Sequence, residues 1–331
     1  MFFYALSPTL LPNHTYLGLL IGTVVFSVSA GLSEVLLSPT IAAIPSDNPQ
    51  KAMSFLHSLY AFGVVAVVAV STVFLKVFGR ENWMYLMMLL ALLPLIASAM
   101  FMFSPMPDMT SESASSGTAT AKRKTLGLVL FVACIFFGSC AENVMSNWIS
   151  SYTDTALHID KAVGDLLGMA MFAVLLGAGR MAYSKFGKNI RPALLGGMFG
   201  AACCYLVAGL AHSALAAFLA CIFTGLFTAM LWPGTLIMME ETLPGVGVAA
   251  YALMAAGGDL GASVAPQLMG AVIDKVSASP YVAGLAAGLH LSAEQVGLKA
   301  GMLVSAFFPL AGTVLIVLML RYFKKQRTRA C

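Results

Sequence analysis

Three carboxylates, Glu34, Glu142 and Asp259, lie inside long apolar runs. A charge at bilayer depth costs at least ~2.5 kcal/mol, so such residues are functional by default. All 18 Lys and Arg residues fall in loops or at the ends of runs, which leaves the three acids without an intramembrane cation. Each must be protonated, hydrated or met by a ligand. A group in that position suits proton carriage, because its charge state changes as a cavity around it opens and closes. The same lack of cations argues against an anionic solute, which Arg would hold. Glu142 belongs to a polar face with Ser139, Asn143, Ser146, Asn147 and Ser150. A polar stripe in a lipid-embedded helix must face a cavity or another helix. Trp148 and Tyr152 lie four apart beyond it. Trp148 fits stacking on a ring or an interfacial aromatic belt equally well, and Tyr152 fits the belt better.

The bland readings stay open beside these. Glu34 can be a protonated carboxyl bonded to Ser33, Ser38 or a neighbouring helix. Asp259 stands in Gly257-Gly258-Asp259-Leu260-Gly261-Ala262, where small residues four apart already serve close helix packing. His57 fits a structural hydrogen bond better than a proton relay.

Composition names the solvent. With 60% hydrophobic and 10% charged residues and a mean hydropathy of +0.89 over 331 residues, the chain fits no soluble domain, so the bilayer is its partner. The net charge of +4 reports loop orientation and implies no nucleic acid. Six cysteines show no C-x-x-C spacing, so neither a disulfide nor a metal is expected. No H-E-x-x-H, G-x-S-x-G or P-loop pattern is present, and no enzyme is expected. Residues 1–6 have no basic flank and no room for the apolar core of a cleavable signal.

A spanning helix needs about 20 mostly apolar residues. Nine runs meet that length, at 16–44, 52–75, 83–103, 125–151, 162–179, 192–211, 214–239, 246–273 and 299–323, with a partial tenth at 1–7. The Ser-, Thr- and Pro-containing stretch 104–124 has linker composition. It divides the chain into an incomplete N-terminal bundle (1–103), the linker (104–124), a C-terminal six-helix bundle (125–323) and a basic tail (324–331). Placing the linker in the cytoplasm puts 13 basic residues inside against 5 outside, so the positive-inside rule favours a cytoplasmic C-terminus. Ser292 and Gln295 have capping-box spacing, so the last helix is expected to start before its apolar core.

The halves are related. At an offset of 194, Gly31-Leu32, Leu37 and Pro39 recur as Gly225-Leu226, Leu231 and Pro233, and Leu59, Ala61 and Gly63 recur as Leu253, Ala255 and Gly257. Repeated hydrophobic halves mark secondary transporters, in which one helical repeat rocks against the other around a site at mid-membrane. The offset also leaves the first half without its opening, roughly 70 residues.

With these residues in view, the chain resembles the major facilitator superfamily, and within it the fucose-permease-like sugar:proton symporters. Gly31-Leu32-Ser33-Glu34 followed by Pro39 is similar to that family's fourth helix, which implies a proton-coupling role for Glu34. Glu142, Trp148 and Tyr152 resemble the seventh helix, which lines the substrate cavity. Gly179-Arg180 through Lys185, Gly187 and Lys188 resembles the superfamily's loop motif between the eighth and ninth helices. It departs from that motif at Tyr183 and Ser184, where an aspartate is usual.

The resemblance implies an all-α, two-bundle membrane fold with helices 1, 2 and most of 3 missing. It further implies proton-coupled import of a small neutral solute such as a sugar, driven by the proton gradient with no cofactor. The expected setting is the bacterial inner membrane, with a monomeric protein if full length. Asp259 and His57 join Glu34 as coupling candidates, and Asn143, Ser146, Asn147 and Trp148 join Glu142 as cavity candidates. Two alternatives remain: a proton antiporter exporting a cationic or amphipathic compound, and a truncated protein that does not transport.

Overall fold

The computed structural model describes residues 1–107, 118–160, 163–288 and 291–330. The centre of the expected linker, 108–117, and Cys331 lie outside the described residues. Thirteen α-helices follow one another among the described residues, with no strand. They are α1 (Phe2–Leu10), α2 (Thr15–Ala43), α3 (Pro49–Phe78), α4 (Trp83–Met102), α5 (Thr118–Ser151), α6 (Ala170–Phe186), α7 (Ile190–Leu210), α8 (Ala214–Thr228), α9 (Leu231–Thr242), α10 (Gly247–Ser277), α11 (Pro280–Gly288), α12 (Ala293–Ser305) and α13 (Phe307–Ala330). Nine stretches among the described residues are long and apolar enough to cross a membrane, matching the nine runs in order. Two join consecutive α-helices: α8 and α9 form one span, Ala214–Thr242, and α12 and α13 another, Ala293–Lys324.

Local chemistry fixes the ends. At α3, Asn48 Oδ1 accepts the Lys51 amide at 3.1 Å and Pro49 occupies the first turn, where its missing N–H costs nothing. Gly79, with φ +89°, ends that helix in a conformation that other residues rarely adopt. The capping box at Ser292 and Gln295 is formed on both sides, and α12 starts at Ala293, six residues before the expected 299. The helix after the linker also begins early, at Thr118, so the last residues of the expected linker are its first turns.

The break between α8 and α9 matters most for the site. Proline has no N–H and cannot close a helical bond to the residue four before it. Pro233 therefore leaves the Ala229 carbonyl free, in the middle of a span and away from water.

Packing is uneven. The first three spans bury 6, 6 and 11% of their apolar windows, and the six that follow bury 39 to 56%. The core is drawn almost entirely from α5 to α13, where α5 runs along α10 and α7 along α8, α12 and α13. The first half meets this core along α2 against α10 and along α3 against α6 and α9. The α3–α6 approach depends on Gly177, where a Cβ would stand 3.0 Å from Phe62 and 3.3 Å from Ala61.

Candidate functional site

Where the halves meet, α2, α3, α5, α6, α9 and α10 enclose a cavity of about 530 Å³. It gathers Glu34, His57, Glu142, Asn143, Arg180 and Asp259. Pro39, inside α2, follows Glu34 by five residues. Asp259 lies near the middle of α10, and Glu142 well inside α5.

The absence of a buried cation, expected from the sequence, is overturned. Arg180 sits inside α6, is 2% exposed, and forms an ion pair with Glu142. Its Nη2 donates to Glu142 Oε1 at 3.1 Å and Oε2 at 3.0 Å. Its Nε donates at 2.8 Å to the Ala229 carbonyl, the one that Pro233 leaves free. Nη1 donates at 3.0 Å to the His57 carbonyl on α3, and the guanidinium lies 6.0 Å from the Tyr60 ring centroid. A buried guanidinium stays charged, so it needs this full set of acceptors. Charge counting placed Arg180 with the basic loop beyond it. However, α6 continues to Phe186, and the loop's surface charge comes from Lys185 and Lys188, both exposed.

The remaining members of the expected loop motif serve the backbone. A Cβ on Gly179 would stand 2.7 Å from the Ala229 Cβ, and the Gly187 amide closes α6 on the Tyr183 carbonyl at 2.8 Å. The Lys185 carbonyl accepts Lys51 Nζ at 3.2 Å. Arg180 alone of this group reaches the cavity.

Glu34 and Asp259 differ from Glu142. Among the described residues neither has an ion pair or a side-chain hydrogen bond, and the Ser33 hydroxyl bonds the Ser29 carbonyl instead, at 3.0 Å. Glu34 is half-buried and Asp259 exposed. Glu34, Asp259 and the Glu142–Arg180 pair all line the same cavity. Among the described residues the buried Nε2 of the His57 ring has no hydrogen-bond partner.

The polar stripe of α5 divides. Glu142 and Asn143 face the cavity, and Ser146 and Asn147 both donate to the Asn143 carbonyl, at 3.2 and 2.8 Å. Trp148 Nε1 donates to the Pro266 carbonyl at 3.1 Å, and its ring covers Gly270. It is an α5–α10 packing contact outside the cavity lining. Tyr152 is fully buried and donates to the Ala208 carbonyl, so it does not belong to an interfacial belt.

Sequence reasoning missed Tyr60 and Trp232, the aromatic walls of the cavity. Both had a signal. Tyr60 is one helical turn from His57, and Trp232 immediately precedes Pro233, in the position where the repeat has Ser38. The Trp232 ring lies on Gly258, which has no side chain to displace it.

A polytopic helical bundle with a largely apolar cavity that carries charged side chains between two sets of spans suits a membrane transporter, and the comparisons agree. The chain belongs to the Major Facilitator Superfamily, whose sequence profile matches residues 1–266. Among solved structures it is similar to the E. coli fucose:proton symporter FucP, crystallised as a point variant, at 15% identity over 97% of this chain and 82% of that one, with a TM-score of 0.64. A structure of FucP in the outward conformation shares 13% identity over 97% and 79%, with a TM-score of 0.66. A bacterial homologue of the human lysosomal transporter Spinster, inward-facing and unoccupied, shares 15% over 95% and 72%, with a TM-score of 0.51. No curated protein sequence matches significantly. The protein is a multi-pass secondary transporter and not an enzyme.

Proposed function

We propose that this protein imports a small neutral polyhydroxylated solute, such as a sugar, together with protons. The observation that carries this reading is the division among the cavity's three acids. Among the described residues, Glu142 is compensated by Arg180, while Glu34 and Asp259 have no cation bonded to them. An uncompensated carboxyl in a cavity that alternately hydrates and dries must gain and lose a proton as the surroundings change. Glu34 and Asp259 are the proposed carriers, and His57 lines the cavity beside them. Asn143 supplies a donor and an acceptor for hydroxyl groups. Tyr60 and Trp232 offer faces to the apolar side of a sugar ring. The structural likeness to a fucose:proton symporter supports the same reading. No cofactor takes part, and the proton gradient is the energy source. The linker and C-terminus are assigned to the cytoplasmic side of a bacterial inner membrane, and the full-length protein to a monomer.

The test is uptake of labelled monosaccharides into proteoliposomes under an imposed pH gradient. Accumulation that follows the gradient and collapses with an uncoupler supports the proposal, and solute-independent proton flux alone counts against it. One observation favours a second reading: two uncompensated acids beside two aromatic rings would also hold an organic cation. In that case an amine leaves as protons enter, and the direction of movement in the same vesicles separates the two.

A further inference from the structure

We propose that Gly258 is a positioning residue for the Trp232 indole, and that the two together set the largest solute the cavity admits. The glycines of the 257–262 stretch do not share one task. A Cβ on Gly257 would stand 2.6 Å from Val132 Cγ1 and 3.2 Å from the Val132 carbonyl oxygen, and one on Gly261 would run into the Phe136 carbonyl. Those two glycines let α10 lie along α5. Gly258 is different. A Cβ there would meet Cε3, Cζ3 and Cη2 of Trp232, the benzo edge of the indole, and α10 has little other contact with α9. Gly258 is buried although its neighbour Asp259 is exposed. The ring covers it and fills the space that a side chain would take.

The repeat carries the reciprocal pairing. At the offset of 194, Trp232 and Gly258 correspond to Ser38 and Val64. The half with the large ring has no Cβ at the second position, and the half with the small residue has a branched side chain there. Ser38 and Trp232 both line the cavity, so the exchange makes the two walls unequal. The second tryptophan of this region is committed elsewhere, since Trp148 Nε1 donates to the Pro266 carbonyl. Trp232 Nε1 has no acceptor among the described residues, which leaves both its ring and its N–H available to a solute. A methyl group at 258 must push the ring off α10, and the ring bounds a cavity of about 530 Å³. One added carbon in an apolar pocket changes discrimination about tenfold or more.

Selection by size rests on the proposed neutral solute, whereas the role of Gly258 can be read without one. In full-length protein in proteoliposomes, with the six native cysteines replaced, Ala262→Cys places a thiol on the cavity wall one turn beyond Gly258. Gly258→Ala is expected to slow its labelling by N-(1-pyrenyl)maleimide about tenfold and to leave N-methylmaleimide within about twofold of the parent. Adding Trp232→Ala removes the displaced ring and should restore the pyrenyl rate. Gly257→Ala is the control for helix packing, and Trp232→Ala should not rescue it. In the second arm, Gly258→Ala should raise the KM of equilibrium exchange at least about tenfold for a labelled hexose but not for glycerol, again with rescue by Trp232→Ala. Equal labelling by both reagents in Gly258→Ala, or a loss that Trp232→Ala does not restore, overturns the proposal, because the glycine then serves helix packing. Aggregation of Gly258→Ala that Trp232→Ala cures supports it, and aggregation of both variants overturns it. A parent that exchanges neither glycerol nor hexose overturns selection of a neutral solute, while the labelling still decides whether Gly258 positions the ring.

Discussion

At the scale of single residues, Arg180 and Glu142 are held by interactions that neither keeps alone. Removing one partner of a buried pair strands the other, which costs about 3–5 kcal/mol, whereas removing both with well-packed replacements is close to neutral. Arg180→Met is therefore expected to lower the midpoint of thermal unfolding in detergent by several degrees, and Arg180→Met with Glu142→Leu to recover most of the loss. A single substitution with an unchanged midpoint would show that Glu142 is not a buried carboxylate. Neither role was legible in the sequence, because charge counting assigns an arginine near a helix end to the loop. The geometry that draws it inward depends on Ala229, 49 residues away. Glu34, Glu142 and Asp259 were legible for the opposite reason, since an acid in an apolar run stands out at one position without knowledge of its neighbours.

At the scale of elements, prolines and glycines decide where helices break and how near they come. Pro233 frees the Ala229 carbonyl that Arg180 Nε takes at 2.8 Å. Pro233→Ala restores an N–H that competes for this acceptor. The variant is expected to fold, but with the α3–α6 seam weakened, read as reduced bismaleimide cross-linking of Gln50→Cys to Glu241→Cys, whose parent side chains bond at 2.6 Å between the halves. Full cross-linking in Pro233→Ala would mean that Arg180 does not need the helix break. Gly177→Val tests the opposite side of the seam. Its Cβ would meet Phe62 at 3.0 Å, so α3 is pushed away and the same cross-link is expected to fall, whereas a Phe62→Ala partner substitution makes room and restores part of it. The nine spans and the capping box of α12 were legible because run length and cap spacing are local signals. The break between α8 and α9 was passed over as one run, 214–239, because hydropathy does not register a lost hydrogen bond. Trp148 and Tyr152 were misplaced on similar grounds. Distance from a helix end suggests an interfacial ring, but the carbonyls of Pro266 and Ala208 that hold them lie on other helices.

For the whole molecule, the cavity brings charges from α2, α5, α6 and α10 into one space, and coupling depends on which of them can change. In the proposed symport, with Glu142 paired to Arg180, proton movement falls to Glu34 and Asp259, and these two need not be equivalent. Glu34 is half-buried on the less tightly packed first half, and Asp259 lies exposed on α10 within the core half. A rocking motion that carries α2 past α10 changes the surroundings of Glu34 more than those of Asp259. Glu34→Gln should therefore separate movement of solute from movement of protons. The amide fixes the neutral form, so equilibrium exchange of solute across proteoliposomes is expected to stay within about tenfold of the parent, while accumulation against a gradient is lost at every imposed pH difference. Asp259→Asn should weaken accumulation without abolishing it. Exchange and accumulation are measured in the same vesicles, so a variant that fails to insert loses both. If Glu34→Gln still concentrates solute in response to the pH gradient, the proton follows another route, and Asp259 with His57 is the remaining path through this cavity.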